Sequence, residues 1–108
     1  MTIEFEHYDP HSKKWVSKVY EAMSVTALKQ TFRHDMNEYK INSVIDNGIK
    51  FSVGQTVYRH FTDPMSLPRK TEAVIKSLEG EAGLYDAIVI DKATDTMLYV
   101  NFIDLTLS

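Results

Sequence analysis

A chain of 108 residues is the length of one modest domain, and its 12 lysines and arginines against 15 aspartates and glutamates leave a formal net charge of −3. That balance argues against a broad phosphate-binding surface and equally against an acidic mimic of nucleic acid. The absence of cysteine excludes disulfides, thiolate nucleophiles and cysteine-held zinc; with acid rather than base at the first residues and no apolar run near ~20 residues, the expectation is a single compact domain spanning 1–108, cytoplasmic and off the membrane.

In chain order, Ile3, Phe5 and His7 alternate with Glu4, Glu6 and Tyr8, the mark of a strand with one wetter face. Asp9-Pro10-His11-Ser12 supplies a turn, and β-type character resumes at Trp15 to Tyr20, so a first hairpin spans Thr2 to Glu21. Ser24 then offers an N-cap. After it Val25, Leu28, Phe32, Met36 and Tyr39 recur at steps of 3, 4, 4 and 3, which predicts a helix carrying one apolar stripe. Ile41–Asp46 and Ile49–Val53 flank Asn47-Gly48, a pair suited to a type I′ turn, which sets Val44 opposite Phe51. A further strand is expected over Thr56 to Phe61, then a loop at Thr62 to Ser66. A second helix is predicted from Ser66 or Leu67, its stripe formed by Thr71, Val74, Ile75 and Leu78 and its end marked by Gly80 or Gly83. Tyr85–Ile90 and Met97–Leu105 read as a final, largely buried hairpin. The fold class is therefore α+β, with a mostly antiparallel sheet of about five to seven strands and two covering helices.

Four groups of residues carry chemistry worth weighing. His7, Asp9 and His11 sit at alternate positions, and imidazole with carboxylate is a zinc-ligand combination, although Pro10 interrupts the strand that would align them. His34 and Asp35 are neighbours on the first predicted helix, about 100° apart, so they do not pair as base and orienting acid; His34 needs a distant partner such as His60. Arg59, His60, Asp63, Arg69 and Lys70 form the densest cluster of able side chains, with arginines suited to a phosphate or a partner carboxylate. Asp86, Asp91, Asp95 and Asp104 invite a metal-nuclease reading but equally suit hairpin loops. No phosphate-binding glycine loop, nucleophile elbow, zinc-protease helix or calcium loop is present.

Trp15 and Tyr8 on the first hairpin add rigid, half-polar contact area of the kind recognition surfaces use. The leading expectation is accordingly a non-enzymatic protein-binding or regulatory module without a cofactor. Arg59, His60, Asp63, Arg69, Trp15 and Tyr8 are its candidate contacts, and a homodimer is expected because the strand Met97–Leu105 is apolar on both faces. One alternative is a small hydrolase or nuclease in which His60 moves a proton, oriented by Asp63, with His34 as a further candidate. The other is a nucleic-acid-binding module using Lys13, Lys14, Lys18, Arg59 and Arg69 as one basic face.

Overall fold

The computed structural model describes residues 1–32, 38–80 and 84–108. Within them the chain forms two compact units, residues 1–52 and 53–108, and each contains its own antiparallel sheet. No helix among the described residues is long and apolar enough to cross a membrane.

The first unit runs β1 (Thr2–Asp9), β2 (Lys14–Glu21), α1 (Val25–Phe32), β3 (Tyr39–Asp46) and β4 (Ile49–Ser52), with the sheet in the order β2-β1-β3-β4. Register sets Ile3 opposite Val44, Phe5 opposite Ile41 and Val44 opposite Phe51, so these five side chains line one face. All are at most 6% exposed. Ile41 and Val44 are three residues apart, a spacing that a regular strand would send to opposite faces. A bulge at Asn42 removes the conflict: Glu4 pairs with Ser43 and Phe5 with Ile41, leaving Asn42 without a partner.

Strands β2 and β3 both run antiparallel to β1, hence parallel to each other, and parallel strands require a crossover. Helix α1 lies on that crossover. Ser24 caps it, its hydroxyl accepting the Ala27 amide at 3.0 Å, and Leu28 is fully buried. The expected helix through Tyr39 is corrected, because Tyr39 opens β3 and lies across from His7. Met36, His34 and Asp35 fall outside the described residues. The Asn47-Gly48 turn forms as its sequence predicts, both residues at positive φ (49° and 77°), with Val44 across from Phe51.

The second unit runs β5 (Thr56–Thr62), β6 (Pro68–Ser77), β7 (Ala87–Asp91), β8 (Met97–Val100), a 3-10 turn (Phe102–Asp104) and β9 (Leu105–Thr106). Its sheet order is β8-β7-β6-β5-β9. The predicted second helix is instead β6, and the reason is local. Ala73 and Ile75 point into the core while Glu72 and Lys76 are exposed, a two-residue period. Register then skips Lys76, since Ile75 pairs with Val89 and Ser77 with Ile88. This bulge returns Leu78 to the inner face three residues after Ile75, and that spacing imitates a helical stripe. The chain thus has two antiparallel sheets, of four and five strands, and a single α-helix among the described residues. The single sheet under two helices is set aside.

The last predicted strand is corrected too, because β8 ends at Val100 and the chain turns through Phe102–Asp104 before β9 pairs with β5. In a flat sheet β8 and β9 would lie four spacings apart, about 19 Å at ~4.8 Å each. Val100 and Leu105 are joined by five backbone steps, about 18 Å if fully extended, and the 3-10 turn shortens that reach. The sheet therefore curls until its two edges approach. Val57, Ala73, Ile75, Leu78, Ala87, Val89, Val100, Phe102 and Leu105 fill the concave side, each at most 5% exposed.

Two glycines test this geometry in different ways. At Gly80 an added methyl would lie 2.8 Å from the Ala87 nitrogen and closer still to the Tyr85 carbonyl, both backbone groups that cannot step aside. At Gly48 space is open and only the positive φ resists a side chain. Gly80→Ala should cost about 1–3 kcal/mol by overpacking, Gly48→Ala about 1 kcal/mol, and Gly48→Asn less, since Asn tolerates that φ; urea unfolding midpoints check the order.

Candidate binding cleft

The curled sheet brings residues from β5, β8 and the 3-10 turn around a cleft of about 180 Å³. Arg59, His60 and Phe61 come from β5; Tyr99 and Val100 end β8; Asn101 and Asp104 belong to the link that follows, and Tyr85 precedes β7. Asp86 holds the link in place. Its carboxylate accepts the Phe102 amide at 2.9 Å, while its own amide donates to the Val100 carbonyl at 3.0 Å. Tyr85 and Tyr99 pack with ring centroids 5.7 Å apart, a paired aromatic wall.

Arg59 shares the inner face of β5 with Phe61, two residues on, and its guanidinium carbon lies 4.1 Å from the Phe61 ring centroid. Its Nε is shielded from solvent and makes no hydrogen bond, and no carboxylate among the described residues pairs with it. His60 projects from the opposite face, and its Nε2 lies 2.8 Å from the Thr106 hydroxyl oxygen. Thr106 has one hydroxyl proton, which it donates to the Ser108 main-chain oxygen at 2.9 Å. With that proton so placed, the Thr106 oxygen accepts from His60 Nε2 in the tautomer that carries hydrogen there.

Asp63 and Arg69 belong elsewhere. Asp63 Oδ1 accepts the amides of Met65 and Leu67, both at 2.9 Å, and its Oδ2 accepts Arg69 Nε at 2.8 Å. This carboxylate builds the β5–β6 turn, in which Ser66 takes a positive φ of 61°. His60 and Asp63 thus have separate partners, and the acid–base pair proposed for a hydrolase is not assembled. Lys70 is also drawn off, its Nζ 4.9 Å from the Tyr58 ring centroid.

The remaining sequence candidates lie in the first unit. Tyr8 and Trp15 are directly opposed across β1 and β2, edge to face at 5.8 Å, and Lys40 Nζ stands 4.5 Å from the Trp15 ring. Lys14 and Lys18 alternate with Trp15 along β2, so they leave by the other face. A continuous aromatic and basic platform is not formed on that strand. In the proposed metal group, Asp9 spends Oδ1 on the His11 amide at 2.9 Å and Oδ2 on the Ser12 hydroxyl at 3.0 Å. Both ring nitrogens of His7 are shielded and lack a hydrogen bond. Among the described residues no three histidines, aspartates or glutamates stand together as a metal would require.

The aspartates of the final hairpin are likewise occupied. Asp91, 5% exposed, accepts the amides of Ala93 at 2.9 Å and Thr94 at 3.2 Å. Burial works to raise its carboxyl, but those amides outweigh it and leave the group below its ordinary value. The Leu67 amide, then Arg69, lowers Asp63 in the same sense; the His11 amide lowers Asp9, and the Ser43 hydroxyl followed by Lys50 lowers Glu4. Sequence reasoning named Arg59 and His60 but missed Tyr85, Tyr99, Asn101 and Asp104 as their neighbours. No local signal joins those positions.

No protein-family model matches the chain, and comparison with curated proteins and with solved structures gives no match either.

Carboxyls held low in the folded state take up protons first in the unfolded state. Their contribution to stability is complete above the ordinary carboxyl range, about pH 4, and is lost as pH falls through the lower folded values. The melting temperature should therefore drop steadily below about pH 4. Asp63→Ala should lower it at neutral pH and make the acid side of the profile shallower, which thermal unfolding by circular dichroism across pH will show.

Proposed function

We propose that this chain is a non-enzymatic binding module that takes a carboxylate of a protein partner into the cleft beside Arg59. The observation that carries this reading is the Arg59 guanidinium itself. A shielded nitrogen donor without an acceptor is costly, and a carboxylate supplies two acceptor oxygens in the spacing a guanidinium matches. Stacking on Phe61 holds the group in one plane before any partner arrives, which reduces the ordering cost of binding.

Size and charge narrow the partner. At about 180 Å³ the cleft is smaller than the ~300–1,000 Å³ typical of small-molecule pockets and suits one short acidic side chain. Asp104 on the same cleft repels added negative charge, so a single carboxylate fits better than a phosphate. The paired rings of Tyr85 and Tyr99 offer rigid contact area beside it, the usual surroundings of an arginine anchor.

The test is an NMR titration of the isotopically labelled protein with a blocked peptide, Glu-Tyr-Glu, against its Gln-Tyr-Gln counterpart. Saturable shifts at Arg59 Nε–H and the Asn101 amide are expected with the glutamate peptide, and about tenfold weaker binding with the glutamine one. Arg59→Lys keeps the charge but not the paired donors and should also weaken binding about tenfold, with the rest of the spectrum unchanged. Equal responses to the two peptides, or none through millimolar concentrations, would overturn the reading.

A further inference from the structure

We propose that β2 is a self-recognition edge, through which two copies of this chain pair antiparallel about a twofold axis centred on Ser17. The inference is independent of the cleft. Strand β2 is bonded to β1 on one side only and ends its sheet, so one row of backbone amides and carbonyls lacks a strand partner among the described residues. It is the longest such edge, eight residues against four in β4 and in β8 and two in β9. It contains no proline and no bulge, two of the devices that keep edges from pairing.

The occupant is argued from the side chains. An antiparallel twofold pair keeps the same face of both sheets on the same side, so each residue must meet one of its own parity. Centred on Ser17, the register sets Trp15 against Val19 of the second copy, and Val19 against its Trp15. These side chains are 42% and 66% exposed, apolar area that the pairing would cover twice over. On the other face Lys14 meets Tyr20 and Val16 meets Lys18, so each cation lies beside an aromatic or aliphatic group. Shifting the centre to Lys18 would oppose two lysines and set Trp15 against Glu21, and shifting it to Val19 would carry Trp15 past the end of the second strand. The Ser17 register opposes no like charges and pairs Trp15 with an apolar residue.

The absence of cysteine from the chain makes this testable residue by residue. Sedimentation of the unmodified protein from low to high micromolar concentration should show reversible doubling of mass. Val19→Lys, at an exposed position that folding does not use, should raise the dissociation constant at least about tenfold while leaving the circular dichroism spectrum unchanged. Under mild oxidation Ser17→Cys should give a covalent dimer and Lys18→Cys little. A constant monomer mass overturns the proposal. So does a dimer that is insensitive to Val19→Lys, or one that crosslinks through position 18 rather than 17.

Discussion

The short link from β8 to β9 is the constraint on which the second unit depends. Backbone too short to cross a flat five-stranded sheet can join its edges only if the sheet curls. The curl gives the concave side its apolar filling and places the end of β8 near the middle of β5. Asp86 secures the link through the Phe102 amide, so one carboxylate holds together a cleft in which it takes no direct part. The cleft is a by-product of closure, and its contents follow from where the strands stop.

Carboxylates perform the same task elsewhere in the molecule. Asp9, Asp63 and Asp91 each turn inward on a hairpin loop and accept amides that a strand ladder cannot reach. A composition rich in aspartate beside histidine suggests acid–base chemistry, yet here the oxygens are committed to main chain. Arg59 differs because its Nε is shielded from solvent without an acceptor. Beside three hairpin aspartates that are each paired with amides, that contrast directs attention to it.

The parts of the fold legible in the sequence are those specified by neighbours. Asn47-Gly48 determines both its turn and the Val44–Phe51 register, Ser24 announces a helix start, and the alternation from Ile3 predicts β1. The misread second helix has a local cause. Bulges at Asn42 and Lys76 insert one residue and convert a two-residue period into steps of three, so Ile75 and Leu78 look helical while lying on one sheet face. In the same way Met97–Leu105 shows apolar residues on both faces because it is two strands and a turn rather than one. The cleft was half legible: Arg59 and His60 stand together in sequence, but Tyr85, Tyr99 and Asp104 reach them only through the curl.

The position of Trp15 has an optical consequence. It is the single tryptophan of the chain and lies in the first unit, edge-on to Tyr8 and beneath Lys40. An indole packed against a ring and an ammonium emits differently once that packing loosens, so its fluorescence reports on residues 1–52. Residues 53–108 contain tyrosines but no tryptophan, and stay dark to excitation at the red edge of the indole band, where tyrosine does not absorb. Indole emission followed beside the far-ultraviolet signal of both sheets thus separates the loosening of one from that of the other. The chain carries its own label on one half.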